Sequence, residues 1–288
     1  MPWTNYHSHS HYCDGKSAPR EHLEMAVEKG FYAFGCSSHA PVSFPNSWCM
    51  PREKLGAYVA EIRSLGEAFA DRLKVFVGLE VDYIPGEITP HSDWIQAAGL
   101  DYTVGSVHFV DQFPDGTHWG IDGTYQEFLR GLEEIWQGDI EAAASRYYEL
   151  TLEMVREARP TMVGHLDKFK MHALKSGKLS ETETWYRKLM EETLTQLAET
   201  GIIVEVNTRG RYKKKLENPY PSFWVLERMY ELGIPICLNS DSHATREIAA
   251  AFEETAQKLR EIGYEELMIL DEKGWRAVSF DQNGIHPA

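Results

Sequence analysis

This sequence predicts an α/β fold, a TIM-like barrel of seven or eight parallel βα units. Three observations predict it. Short apolar, β-branched runs alternate with amphipathic helical stretches along most of the chain, a pattern that builds parallel βα units with right-handed crossovers. Seven such runs, with no Pro/Gly/Ser-rich linker between them, point to a barrel rather than an open sheet. Nearly every run ends in His, Asp or Glu, at the end of the strand where a barrel gathers its chemistry.

The first run, NYHSHS at 5–10, carries His7 and His9 two positions apart, so both face the same side of an extended chain. His11 continues the alternation, but YCDG turns the chain immediately after it. His11 is therefore expected beside or behind the site, and Asp14 in the turn. A helix is expected over 17–30, with Ser17 as N-cap, Pro19 in the first turn, Gly30 as the stop and Leu23, Ala26 and Val27 at helical spacing. The run 31–39 closes at His39. A second helix follows over 51–72. The run 73–83 (LKVFVGLEVDY) carries Glu80 and the run 100–109 (LDYTVGSVHF) carries His108. Residues 110–150 exceed the other connections and are expected to form a long loop plus a helix reaching over the site. The run 160–168 carries His165. A helix over 180–201 opens with the capping box Ser180–Glu183. The run 201–210 holds Glu205 and Asn207, a helix covers 221–233, and the run 234–243 ends in Asp241 and His243. A last helix over 245–263 precedes ELMILDEKGWRAVSF, read as a short strand or hairpin. The barrel is assigned to 1–280 as one domain, and 281–288 to a loose tail.

The chain has 288 residues, 43% hydrophobic and 25% charged, enough for a full core. Its net charge of −15 argues against a nucleic-acid partner, because phosphate neutralisation needs a basic face. The one dense basic spot is RGRYKKK at 209–215. No apolar run is long enough to span a membrane, and the first ten residues lack the basic and apolar regions of a secretory signal. Four cysteines, at 13, 36, 49 and 237, form no CxxC pair, so a reducing cytoplasm is expected.

Each His, Asp or Glu taken alone reads as a turn, cap or core residue. Glu80 is the exception, because a carboxylate inside a buried strand is costly without a compensating cation. Glu205 lies two residues before Asn207 and faces the same way one layer deeper, as a structural acid behind the site. Their joint placement on almost every strand end is what a bland barrel would not show. The candidate ligands are imidazoles and carboxylates without thiolate, which suits Zn²⁺, Mn²⁺ or Fe²⁺. There are too many for one ion, so two or three clustered ions are expected, an arrangement that activates a bridging water for phosphoryl displacement.

As a set, HSHSHYCDG, the lone His39, GLEVDY, SVHF, VGH, EVNTRG and NSDSH resemble the polymerase and histidinol phosphatase (PHP) superfamily. The resemblance runs from residue 5 to about 245, and EVNTRG…YPS is most similar to the histidinol-phosphate phosphatase branch. It implies a distorted (β/α)7 barrel holding two or three divalent ions. It implies that His7 and His9 bind one ion with Glu80 and Asp241, that Glu80 bridges to a second held by His108 and His165, and that Asp14, His39 and His243 hold a third.

The expected activity is hydrolysis of a small phosphomonoester, histidinol phosphate giving histidinol and phosphate, through a metal-bridging hydroxide. Asp241, His243 or a metal-bound water would assist the leaving group. Arg209, then Lys168, would neutralise the outer phosphate oxygens. Trp48, His118, Trp119 and Asp122 are loop candidates for the cationic end of the substrate. Rival readings are a phosphodiesterase or nuclease of the same superfamily, which the net charge weakens, a phosphotyrosine phosphatase, and a metal-binding regulatory module, which the complete ligand set argues against.

Overall fold

The computed structural model describes residues 2–287. The chain begins β1 (Thr4–Asn5), α1 (Pro19–Glu28), β2 (Ala33–Cys36), α2 (Leu55–Phe69), β3 (Lys74–Asp82), α3 (Asp93–Gln96) and β4 (Tyr102–Ser106). The insert then forms a hairpin, β5 (Phe109–Gln112) with β6 (His118–Gly120), followed by α4 (Tyr125–Glu134) and α5 (Ile140–Glu153). It thus holds two helices and a hairpin where the sequence predicted a loop and one helix. β7 (Met162–Val163), α6 (Lys170–Lys175), α7 (Thr184–Ala198), β8 (Ile203–Asn207), α8 (Arg209–Tyr212), α9 (Phe223–Glu231), β9 (Ile236–Asn239) and α10 (Phe252–Ile262) follow. β10 (Glu266–Asp271), β11 (Gly274–Asp281) and β12 (Gly284–Ile285) end the chain.

Seven parallel strands pair in the order β1-β2-β3-β4-β7-β8-β9. The seam between β9 and β1 is closed beyond the strands themselves. Ser8 bridges Ser242 in parallel, the His9 amide donates to the Ser242 carbonyl at 2.7 Å, and the Tyr6 amide donates to Asn239 Oδ1 at 2.7 Å. The result is the nearly closed barrel that the alternating pattern predicts.

The outer helices press apolar stripes onto the strands. Leu55, Tyr58, Ile62, Leu65 and Phe69 of α2 recur at three- and four-residue spacing and are all buried, each contributing roughly 1.5–3 kcal/mol by leaving water. Inside the barrel, at the amino ends of the strands, Tyr6, Ala33, Tyr102, Val104, Met162, Ile203, Cys237 and Leu270 form a second cluster. Gly35 and Gly78 stand in the wall because Tyr102 lies against them: a Cβ at either would sit 2.2 or 2.4 Å from its ring or hydroxyl.

The hairpin β10–β11 plugs that end, with the Tyr6 hydroxyl donating to the Leu270 carbonyl at 2.9 Å and Trp275 packed edge-on to Tyr6. Segment 281–288, read as a loose tail, is held in its described part. Gly284–Ile285 pairs with β11, the Ile285 amide donates to the Pro2 carbonyl at 2.9 Å, and Ile285 is buried. An apolar residue with a free edge to pair with outweighs a loop-like composition. At α1 the N-cap is Ala18 rather than Ser17, and the Glu21 carboxylate accepts the Ala18 amide at 2.7 Å. Among the described residues no helix is long and apolar enough to cross a membrane.

Candidate metal centre

With the amino end plugged, the carboxyl ends carry the polar residues. Ser8 fixes the segment after β1 by accepting none of the inward positions itself: its hydroxyl donates to the Gly35 carbonyl at 2.9 Å and its amide to Ser37 Oγ at 3.1 Å. His7 and His9, on either side, therefore both turn into the barrel mouth, and both are buried. His39, past β2, bridges Glu80 of β3. His108 follows β4, His165 follows β7, and Asp241 and His243 follow β9. Asp241 has φ 51°, a left-handed conformation that costs about 1 kcal/mol or more for a non-glycine residue. Such strain persists where the surrounding structure holds it for a purpose.

Glu80 is the hub. Its Oε2 lies 2.9 Å from His39 Nδ1, 3.2 Å from His7 Nε2 and 3.4 Å from His9 Nε2. Its Oε1 lies 2.8 Å from His165 Nε2 and 3.7 Å from His108 Nε2. Asp241 Oδ1 approaches His9 Nε2 at 3.2 Å, and Asp14 Oδ2 approaches His243 Nε2 at 3.3 Å. All nine residues expected as ligands therefore lie at one mouth. The donor atoms that fall within 4.8 Å of one another form three overlapping groups: His7, His9 and Asp241; His9, Asp14, His39 and His243; and His39, Glu80 and His108. His39 thus reaches Glu80 as well as Asp14, which the sequence did not anticipate.

Carboxylates and amides behind the rings set their direction. Glu205 Oε1 lies 2.7 Å from His7 Nδ1, while its Oε2 accepts the His165 amide at 2.8 Å and Asn207 Nδ2 at 3.0 Å. Glu205 is fully buried one layer below Asn207, as its two-residue offset requires. Asp82 does the same for His108, with Oδ1 3.0 Å from Nδ1 and accepting the His108 amide at 2.9 Å. Sequence reading missed Asp82; its sole signal was a second carboxylate two residues after Glu80. Pinning Nδ1–H to a carboxylate leaves Nε2 as the lone-pair donor, the arrangement found around metal-bound histidines.

Burial alone would protonate these carboxylates, but the imidazoles outweigh it. For Glu80 the neighbours His7, His39 and His108 hold the carboxyl well below its usual range, and Arg209 and His7 do so for Asp241. Burial lowers His9 well below the ordinary imidazole range, aided by His243 and His39. At His108 burial is overcome by Asp82, Asp122 and Glu80, and the pKa rises to about 10. The mouth is thus a cluster of ionised acids and crowded imidazoles, with the Arg209 guanidinium at its Asp241 edge.

A cation fits that cluster better than the rings do. His7 Nε2, His9 Nε2, His39 Nδ1 and Glu80 Oε2 are buried with no hydrogen-bond partner, and the three nitrogens all lie around that one oxygen. Orphaned buried polar atoms are costly. Four converging on one spot, all nitrogen or oxygen donors, match divalent ions such as zinc, manganese or iron.

A cavity of about 200 Å³ opens above the cluster. Trp48 lies on one wall, with its ring 4.5 Å from that of His39. Lys168, Arg209 and Lys215 bring cations, and Asp122 faces His108 and Lys168 at 3.8 and 3.5 Å. Lys215 was not singled out from the sequence. His118 does not line the cavity: β6 carries it to the far side of the hairpin, where its ring stacks 4.0 Å from Phe44 and Nε2 meets Glu87 at 3.1 Å. Trp119, also placed at the mouth by sequence, is fully buried against Gly131 and Phe128. His11 is exposed beside Tyr12 and outside the ligand groups.

Residues 5–209 match the PHP domain family model. A protein of Deinococcus radiodurans called "probable histidinol-phosphatase" is 29% identical over 266 residues, spanning 89% of this chain and 92% of that protein. The histidinol-phosphatase of Bacillus subtilis is 28% identical over 266 residues, 86% of this chain and 96% of its own. The histidinol phosphate phosphatase of Lactococcus lactis, solved with zinc, L-histidinol and phosphate, shares the fold with a TM-score of 0.66 at 22% identity, covering 99% of both chains.

Proposed function

The chain belongs to the PHP domain family, and from that premise we propose that it is a metal-dependent phosphomonoester hydrolase acting on histidinol phosphate, releasing histidinol and inorganic phosphate. The observation that carries the reading is the set of four converging, partnerless buried atoms directly beneath a cavity walled by Lys168 and Arg209. The full-length likeness to histidinol-phosphatases of Deinococcus and Bacillus supports the substrate.

His7, His9, Asp14, His39, Glu80, His108, His165, Asp241 and His243 would hold two or three divalent ions, which when bound lower the pKa of water and neutralise phosphate charge. The side chains do the rest. Arg209 Nη1 donates to the Asp241 carbonyl at 2.7 Å, which fixes its guanidinium at the cavity wall for the outer phosphate oxygens. Lys168 stands opposite, over the Tyr220 ring. Asp241 and His243 line the cavity, and one of them or a water returns a proton to the leaving alkoxide. Trp48 and Asp122 give the cationic end of the substrate an aromatic face and an acid.

A panel of histidinol phosphate, a phosphotyrosine peptide and an oligonucleotide, each assayed with added manganese or zinc, tests this. Histidinol phosphate turnover at least tenfold above the others is expected. Preference for the peptide or the oligonucleotide overturns the substrate assignment, and turnover unaffected by metal removal overturns the chemistry.

A further inference from the structure

We propose that Lys215 is a third cation of the phosphate end of the cavity and selects phosphate monoesters over diesters. The inference rests on the phosphatase reading and extends it to a residue that neither the family motifs nor the ligand set includes.

The basic run at 209–215 looks like a solvated surface, yet its members have different fates. Arg211 pairs with Glu254 at 3.0 Å, Lys213 pairs with Glu247, and Arg209 is tied to the Asp241 carbonyl. Lys215 forms no side-chain hydrogen bond or ion pair with a described residue, although it lines the same cavity as Lys168 and Arg209.

The backbone brings it there. After the single turn of α8, Lys214 adopts φ 54°, and the amides of Lys215 and Leu216 both donate to the Gly210 carbonyl at 3.0 and 3.1 Å. This left-handed reversal is unfavourable for a lysine. It folds the chain back over the mouth and returns Lys215 to the wall that holds Arg209. Desolvation there, with the charges of Lys168 and Arg209, lowers the Lys215 ammonium from its usual range. Asp122 answers Lys168 at 3.5 Å and Asp241 Oδ2 lies 4.0 Å from Arg209, so Lys215 is the one of these three cations without an ion pair among the described residues, and an incoming anion relieves its crowding.

The chemistry of the anion follows from the count. A monoester presents three terminal oxygens and two negative charges near neutral pH, whereas a diester presents two oxygens and one charge. With the ions below and Arg209 and Lys168 on the walls, a further cation at the rim matches the extra oxygen that only the monoester carries. Lysine suits a rim position, being a compact point charge on a flexible stem.

The test uses metal-loaded enzyme and the variants Lys215→Met and Lys215→Arg. The probes are p-nitrophenyl phosphate, bis(p-nitrophenyl) phosphate and inorganic phosphate as inhibitor. Lys215→Met is expected to lower kcat/KM for the monoester roughly 10- to 100-fold, as loss of a charge-assisted contact does, and to raise the inhibition constant of phosphate by a similar factor. Diester turnover should stay within about twofold and metal content should not change. Lys215→Arg should recover most of the monoester rate. An equal fall for both esters, or an unchanged phosphate inhibition constant, overturns the role of Lys215. Absence of monoester turnover in the unaltered enzyme instead overturns the phosphatase reading, so the two failures are told apart.

Discussion

Replacing Glu80 with glutamine removes one charge from the centre of the histidine cluster and almost no volume. The carboxylate approaches five imidazoles, from 2.8 Å at His165 to 3.7 Å at His108. Any ion held by those nitrogens therefore lies within a few ångströms of it. Two unit charges about 4 Å apart interact by about 4 kcal/mol at an effective dielectric near 20. Losing that term costs roughly three decades of affinity for a cation, and a dication loses more. The fold should survive, because the amide oxygen still accepts from Ser106 Oγ, which donates to Glu80 Oε1 at 2.7 Å. The assay is metal content per chain after dialysis, chelator competition for affinity, and phosphomonoester turnover, with a thermal melt of the metal-free protein as control. Glu80→Gln with full turnover and unaltered metal content would refute the placement of the ions around this residue.

The remaining expectations concern groups behind the cluster. Glu205→Gln leaves an amide where Glu205 accepts from the His165 backbone, Asn207 and Asn239, and disturbs the support of His7. Metal affinity by chelator competition should fall about 10- to 100-fold; an unchanged affinity would remove Glu205 from the task of orienting His7. His22 stacks on Phe34 in the core, and burial pushes its pKa down to about 4. The unfolded chain takes up a proton near pH 6.5 that the folded protein refuses until about pH 4, so His22 costs stability as pH falls through that window. His22→Leu should match the parent above pH 7, apart from a constant offset, and gain up to about 3 kcal/mol relative to it by pH 4. Parallel acid-denaturation curves for the two proteins would contradict the assignment.

Much of this was readable in the chain because parallel strands turn sequence position into spatial position. His7 and His9 at alternate residues, Glu80 in an apolar run, and Asp241 and His243 past the last strand needed only the barrel to meet. Asp82 was not readable in the same way, since its work depends on the register that sets Asp82 opposite Ser106 and so brings it beneath His108. Lys215 was hidden inside a basic run, and only the reversal at Lys214 separates it from its neighbours. His118 and Trp119 were misjudged because loop composition does not reveal a hairpin, and pairing Gln112 with His118 decides which face each side chain takes. Ile285 escaped notice for a related reason: the free edge of β11 is a tertiary fact.

The seam of the barrel joins the first strand to the last through backbone bonds on either side of Ser8 and Ser242. His7 and His9 come from one lip and Asp241 and His243 from the other, so an ion held among them would work as a rivet across the join. Loading it would stabilise only molecules whose two ends have already met, by an amount that grows with the logarithm of free metal over its dissociation constant. Starvation for metal would then loosen the circle at that one place first, and amide exchange along the Ser8 and Ser242 lips would register it before the opposite wall did.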